Sequence, residues 1–583
     1  ANEETNKLED HYRRLFAAFL DANVDFDYGE EQMLSEMAKV ETDDLGVKIR
    51  VGLSEYRTVV VSGMTTIRSS TVKLLDEFAK KGGKVVLLGD EPYMIDARKD
   101  DGFKKLAYEK APFETESVLK YVKPRLKVKL GFENKKNCQL HARIADAREK
   151  DGIAALAIVN ANRGEGAEDV TIMLEGLEGV TGCAEWCLED GKIYKANGFK
   201  AENGKVEIKT DFFPAGERIF VLYFGGRTPE FSSEDALGRR VRSKVVAEKE
   251  LGGSFDYVLD EKNAMALDFA DADMVTTDGR KKHFDTCEIL RLDMAVRDFA
   301  GIEHRGGGML QPWYAKKYAN DAYGDFTVNF EFEVEKVPEG EILICGERPE
   351  FIDYYLNGKK LTPDGNFWVD NCFKTMPAPA DWLKKGKNVV TLVTNFKRTT
   401  NLEAVYVVGD FGVKAELVEK NPASKVDQKG NLYDRNKKIT ALPEKLTLAN
   451  ITDQNLLMYT GRVSYVVTPE MLKDIVPGKG ERAVLRAPEY VGSLIRVETN
   501  DGKLIGILGW EPYTADVTDY LKEGFRVTLV CSRKNIYGPL HFLPAYPGAV
   551  GPDTFVAGGP HFTENYAMID SNPGRLFVDV VKE

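Results

Sequence analysis

Apolar positions recur at helical spacing in the first stretch, NKLEDHYRRLFAAFLDANVDFDYG. There Leu8, Tyr12, Leu15, Phe16, Phe19 and Leu20 mark one helix ahead of a turn. The pattern then changes to a continuous apolar run, YRTVVVSG, as expected of a strand buried on both faces. TIRSSTVKLLDEFAKKGG follows, a helix with hydroxyl residues at its start and a Gly-Gly stop, and KVVLLGDEP returns as a strand. This βαβ order predicts a flavodoxin-like α/β domain over residues 1–114. Its first loop, SGMTTIRSS, has neither G-x-G-x-x-G nor G-x-x-x-x-G-K-[ST], which favours a structural role over nucleotide binding.

Between 115 and 228 the pattern becomes short alternating segments, AALAIVNAN, DVTIMLEG, KVEIKTDF and ERIFVLYF, punctuated by turns. That predicts a small antiparallel β-sandwich. A charged stretch, GGRTPEFSSEDALGRRVRSKVVAEKE, reads as linker with a short helix. Beyond about residue 250 nearly everything reads as strand, and one phrase occurs twice. DWLKKGKNVVTLV at 381–393 is echoed by DYLKEGFRVTLV at 519–530. A Pro-Glu-aromatic triplet lies 32 residues before Asp381 and 31 before Asp519, and Asn-Gly or Asn-Asp-Gly makes the turn between. The shared order and spacing predict a diverged duplication of one β-domain. Residues 229–442 are assigned to linker plus the first sandwich, and 443–583 to the second.

The repeated phrase has a physical logic. Asp516 or Thr518 caps a single helical turn, Tyr520 and Leu521 press it onto the sandwich, and Gly524 supplies a left-handed exit into a strand. Asp381, Asp516 and Asp519 are thereby explained as fold markers rather than as a site.

NAMALDFADADM, YLNGKKL and LEAVYVVGDFGV resemble the galactose-binding-like jelly rolls of large multidomain glycoside hydrolases, of the α-L-rhamnosidase type and more distantly the family-two β-galactosidase type. GWEPYTADVTDYLKEG and RKNIYGPLHFLP are similar to the terminal sandwich of such enzymes, and the likeness extends over nearly the whole chain. The resemblance implies a mainly β, multidomain protein: an α/β domain, a small sandwich and two jelly rolls. Such enzymes carry their catalytic carboxylates on a (β/α)8 barrel of about 200 residues or more. Only one βαβ unit precedes the all-β region, so no complete barrel is expected and no catalytic residue carries over. The implied function is the carbohydrate-recognition and supporting region of a glycoside hydrolase acting on plant or microbial glycans, with its barrel in cis or in trans. Two alternatives stand beside it: a complete enzyme with a carboxylate site between sandwiches, and a structural subunit completing a separately encoded barrel. No cofactor is required on this reading, and a structural calcium ion is the one metal the resemblance suggests.

The net charge of −13, without a long unmixed run of Lys or Arg, excludes a nucleic-acid partner and suits a neutral ligand. The longest apolar runs are strand-length, so no membrane span is expected. The chain begins with Ala, as a mature or trimmed product would, and a soluble protein of bacterial cytoplasm, periplasm or secretion fits equally. Seven scattered cysteines, with only Cys183 and Cys187 close together, read as mostly buried thiols rather than a zinc site.

Sugar sites on β-sandwiches combine an aromatic face with carboxylates and amides. Two clusters have that composition. The first is EHRGGGMLQPWY, with Glu303, His304, Arg305, Gln311, Trp313 and Tyr314; Pro312 argues against helix around Trp313. The second comprises Trp510, Glu511, Tyr513, Arg533, Asn535, Tyr537 and His541, together with His561, and the Gly538-Pro539 turn would leave Tyr537 and His541 near one rim. For hydrolysis by the chain itself, the acidic candidates are Glu347, Glu350, Asp353, Glu403 and Asp410.

Overall fold

The structure, a computed structural model, describes residues 3–112, 118–122, 129–188, 191–227, 230–236, 244–305, 312–318, 320–420, 430–538, 540–541 and 562–582. Two compact units divide the chain, Ala1–Arg242 and Ser243–Glu583.

In the first unit the expected helix spans Glu3–Asp21 and the βαβ unit is present: parallel strands Thr58–Ser62 and Lys84–Leu88 flank helix Ser69–Lys80. Glu109–Ala111 joins as a third parallel strand. The Gly-Gly stop works as anticipated. Gly82 has φ +95°, and a Cβ on Gly83 would lie 2.3 Å from the Phe78 ring. An antiparallel meander of Ala38–Asp43, Gly46–Val51 and Ser54–Tyr56 was not foreseen. Its polar side is laced with ion pairs such as Lys48–Glu55 (2.8 Å), so its alternation is muted in the sequence. Two of the predicted helix residues are not buried: Tyr12 is 53% and Phe16 42% exposed.

The remainder of the unit is an antiparallel sandwich of a four-stranded and a six-stranded sheet, built on Ile172, Leu174, Ile208, Leu156 and Phe220. Its sixth strand, Ser233–Ala236, is the one parallel addition. Asn23 and His141 tie it to the N-terminal helix, through Ala142 N–H to Asn23 Oδ1 (2.6 Å) and His141 Nδ1 to Leu20 O (3.0 Å).

The second unit confirms the repeat by topology. In the first sandwich one sheet places Gly324–Val334 beside Gly386–Phe396, then Asp353–Leu356, then Lys359–Lys360. In the second, Arg462–Val467 lies beside Phe525–Val530, then Leu494–Glu498, then Leu504–Leu508. The opposing sheets match as well: Asn263–Leu267, Val405–Gly409, Glu341–Glu347, Phe373–Pro379 against Lys244–Leu251, Leu576–Lys582, Glu481–Arg486, Thr514–Asp516. The sandwiches are nested, however, rather than consecutive. Lys244–Leu251 and Tyr257–Leu259, grouped by sequence with the first sandwich, pair with Leu576–Lys582 and Arg462–Val467 of the second. A third small sheet joins Leu417–Lys420, Gly430–Tyr433 and Tyr566–Ile569.

The repeated phrase folds as its residues dictate. Each copy makes a single 3-10 turn, Ala380–Trp382 or Thr518–Tyr520. A left-handed glycine then precedes or opens the strand, Gly386 (φ +91°) or Gly524 (φ +75°). Asp516 accepts from the Thr518 N–H (3.1 Å) and hydroxyl (2.7 Å), and Tyr520 and Leu521 pack on the core. The protein is thus mainly β, and no sheet among the described residues closes into a barrel. All seven cysteines are free and five are buried. No described helix is long and apolar enough to cross a membrane.

Candidate functional site

The open rim of the second sandwich holds a groove of about 1510 Å³. One wall begins with the Pro-Glu-aromatic triplet, which leaves strand Glu481–Arg486 and presents Tyr490. Beside it comes Tyr513, set between the end of strand Leu504–Leu508 and strand Thr514–Asp516. Its backbone is left-handed (φ +53°), a conformation seldom adopted by a bulky residue, and its N–H bonds Trp510 O (3.0 Å). The rings meet edge to face, 5.6 Å between centroids at 90°.

Backbone bonds brace that wall. Val491 and Asn572 exchange N–H to C=O bonds of 2.9 and 3.0 Å, and Ala487 N–H bonds Tyr513 O (3.1 Å). Gly574 (φ +65°) passes so close that a Cβ would lie 1.5 Å from Glu489 O, which only glycine permits. Arg575, also in the lining, makes a forked pair with Glu250 (2.8 and 2.7 Å) and stacks 4.7 Å over Phe577. Asp570 accepts from Asn450 (2.8 Å) and Asn431 (3.1 Å).

Burial pushes the Tyr490 phenol up to about 12, with Tyr513 adding to it, and burial followed by Glu511 raises Tyr513. Both hydroxyls therefore stay neutral donors at ordinary pH. The charged lining residues are Glu250, Glu489, Asp570 and one cation, Arg575, so the groove repels anions. Aromatic edges, amide and hydroxyl groups and an acidic balance suit a neutral polyol with apolar C–H faces.

The remaining predicted residues are distributed over three places. Trp510 and Glu511 are half-buried beside the groove, outside its lining. The first cluster belongs to the first sandwich, where its polar groups are taken up mostly by neighbouring residues outside the cluster. Glu303 pairs with Arg398 and accepts from Tyr314 (2.9 Å), His304 meets Asp298 (2.7 Å), and Arg305 binds Asn401 and Glu403. Trp313 is 64% exposed and, against expectation, helical: Pro312 opens helix Pro312–Lys317, the position where a missing N–H costs nothing. Gln311, His561 and Pro539 lie outside the described residues.

The Arg533–His541 segment does not form one rim. Arg533 forks onto Glu261, and Asn535 spends its amide on Ile569 N–H and C=O (2.9 Å each). Tyr537 packs among Trp368, Phe373 and Tyr406. His541 is buried, its Nε2 3.0 Å from Asp268, which also accepts from Tyr566 and pairs with Lys437 (3.6 Å). Burial alone would raise Asp268; Lys437 and His541 hold it down to about 2. This charge cluster went unnoticed because Asp268 and His541 are 273 residues apart.

Among the acidic candidates, Glu350, Asp353 and Asp410 form exposed ion pairs with Arg348, Lys360 and Lys262. Glu347 and Glu403 converge through one network: Asn401 donates to Glu347 (2.8 Å), and Arg305 reaches Asn401 and Glu403 (2.9 Å). Burial raises Glu403, Arg305 opposing and Glu347 adding. No group of three or more His, Cys, Asp or Glu side chains fit to hold a metal assembles among the described residues, so calcium ligands are not assigned. Tyr490 itself was visible in the sequence, but only as part of a fold-marking triplet.

No family model matches the chain, and no curated protein matches its sequence. Solved structures that it resembles in part include glycoside hydrolases. A rhamnosidase from Novosphingobium sp. PP1Y aligns at 14% identity over 65% of this chain and 32% of its own, with a TM-score of 0.27. An exo-carrageenase GH42 from Bacteroides ovatus aligns at 14% over 37% and 27% (TM-score 0.25). A β-D-mannosidase from Dictyoglomus thermophilum aligns at 12% over 48% and 32% (TM-score 0.19). The chain thus spans about a third of the length of each.

Proposed function

We propose that this chain recognises neutral carbohydrate through the groove at Tyr490 and Tyr513, as the binding and supporting part of a glycan-processing enzyme whose catalytic barrel is supplied in cis or in trans. The observation that carries this reading is the groove itself: two tyrosines held edge to face by a braced wall, beside amides and a forked Glu250–Arg575 pair, with an acidic balance. Calorimetric titration of the full chain with neutral plant and microbial polysaccharides tests it. Tyr490→Ala and Tyr513→Ala are each expected to weaken binding about tenfold or more, ~1.4 kcal/mol. Unchanged affinity in both variants, or no binding by the parent protein, would sink the proposal.

A second reading has one observation in its favour, the network joining Glu347 to Glu403 with the latter's carboxyl held above its usual range. Hydrolysis needs one protonated and one ionised carboxyl at the scissile bond. Release of reducing sugar by the chain, abolished in Glu403→Gln, would replace the recognition reading with an enzymatic one.

A further inference from the structure

Rings and carboxylates are interleaved in the short stretch DFDYGEE at 25–31. Asp25, Phe26, Asp27, Tyr28, Glu30 and Glu31 all line one cavity of about 990 Å³ within the first unit. Helix Glu3–Asp21 adds a wall of the same chemistry, because Glu9, Tyr12 and Phe16 follow one another at helical spacing along one face. Tyr12 and Tyr28 stack at 4.9 Å and 15°, and Phe26 sets its ring edge-on to Phe16 (5.8 Å) and Tyr28 (5.7 Å). These rings are open to a ligand: Tyr12, Phe16 and Tyr28 are 53%, 42% and 55% exposed. Met33 and Met37, half exposed, extend the lining, and Val61, Ile67 and Leu75 complete its apolar part.

The charge of the lining has one sign. Glu9, Asp25, Asp27, Glu30 and Glu31 belong to it, and among the described residues no Lys, Arg or His does. Asp25 pairs with Arg143. The other contacts come from neutral donors. Asp27 accepts from the Tyr56 hydroxyl (2.7 Å), Glu30 from Gln32 and Met33 N–H (3.0 and 2.8 Å), and Glu31 from Arg68 N–H (2.8 Å). Such bonds hold a carboxylate in place and leave its charge intact; those from Gln32 and Met33 keep Glu30 below the usual carboxylate range. Negative charge set against low-dielectric walls concentrates cations.

The rest of the lining decides which cation. A metal ion needs oxygen ligands converging on one point, and no group of three or more His, Cys, Asp or Glu fit to hold one assembles among the described residues. Aromatic faces and thioethers suit an organic cation instead, since an ammonium over a ring is drawn to its quadrupole while its apolar body is buried. A neutral ligand gains only the second of these terms, and an anion is repelled. The volume is that of a small-molecule site.

We infer that this cavity binds an organic ammonium ion with an apolar body, its charge beside Glu9, Asp27 and the Tyr12–Tyr28 pair and its body against Phe26 and Met33. The site shares no residue with the groove at Tyr490 and does not rest on the carbohydrate reading.

The test uses the full chain at neutral pH and three probes of one shape followed by ¹⁹F NMR: 2-(4-fluorophenyl)ethylammonium, 2-(4-fluorophenyl)ethanol and 4-fluorophenylacetate. The ammonium should bind about tenfold more tightly than the alcohol, and the anion at least about tenfold more weakly than the ammonium. Added salt should erode the ammonium's advantage and leave the alcohol's affinity unchanged. The combined variant Glu9→Gln with Asp27→Asn keeps shape and hydrogen-bond acceptors, and should erase most of the ammonium's preference without weakening the alcohol. Tyr28→Leu keeps an apolar wall but removes the π face, and should weaken the ammonium about fivefold and the alcohol less than about twofold. Failure of the ammonium to bind the parent protein overturns the inference, as does equal binding of ammonium and alcohol. Retention of the full preference in the combined carboxylate variant or in Tyr28→Leu, each shown to melt like the parent, also overturns it.

Discussion

Glu288 offers the sharpest test of the second unit's electrostatics. Its side chain caps helix Ile289–Ala300 by accepting from Arg291 N–H (3.1 Å), and it is only 6% exposed. Burial, reinforced by the Asp268 carboxylate, pushes its carboxyl up to about 7, against the helix N–H groups and His541, which lower it. An unfolded carboxyl titrates near 4.5. Between those values the folded state binds the extra proton, so stability contributed by this group is full below pH 4.5 and is lost as pH rises through 7. The difference amounts to about 3 kcal/mol. Glu288→Gln keeps an acceptor for the cap but cannot ionise, so it should lack this loss. Urea unfolding at pH 4.5 and 7.5, followed by tryptophan fluorescence, reads it: four of the five tryptophans (Trp313, Trp368, Trp382, Trp510) belong to this unit. The charged groups that act on it are Asp268 and His541. Asp268 is already ionised; burial lowers His541, but Asp268 and, after it, Glu288 itself raise it on balance, so its loss above pH 6.5 is common to both proteins except for the part that the Glu288 carboxylate contributes. Parent protein should therefore lose about 3 kcal/mol more than the variant across the window, about 1–2 M in urea midpoint. Parallel losses would refute the buried, proton-holding state of Glu288.

Two further outcomes are expected. Asp268→Asn leaves Lys437 buried without its counter-charge and should destabilise the second unit by about 3–5 kcal/mol; a change below 1 kcal/mol in urea unfolding would contradict the charge cluster. Gly83→Ala forces a methyl into the Phe78 ring and should cost about 1–3 kcal/mol in the first unit, seen as faster amide exchange along Lys84–Leu88, whereas unchanged protection there would disprove the close contact.

What was legible in the chain follows the reach of each signal. Helix Glu3–Asp21, the βαβ unit and the twice-used turn before a glycine were plain because period, cap and stop are written within a few neighbouring residues. The same locality explains the misplacement of Trp313: the rule disfavouring helix before proline says nothing of the residue after it, and Pro312 begins a helix. The sequence singles out Tyr513 for its ring and hydroxyl but Tyr490 only as part of the Pro-Glu-aromatic triplet, because nothing local says that the two rings meet.

The amino-acid sequence by itself determined the mainly β character and the repeated turn-and-strand phrase, since alternation and turn residues need no knowledge of neighbours in space. Tertiary structure alone decided that one sandwich is nested within strands of the other, that Glu250 reaches Arg575, and that His541 is sealed against Asp268. Each of these joins residues from different elements, up to hundreds of positions apart. Such pairings are chosen by the packing of whole sheets and helices, which no short window of sequence encodes.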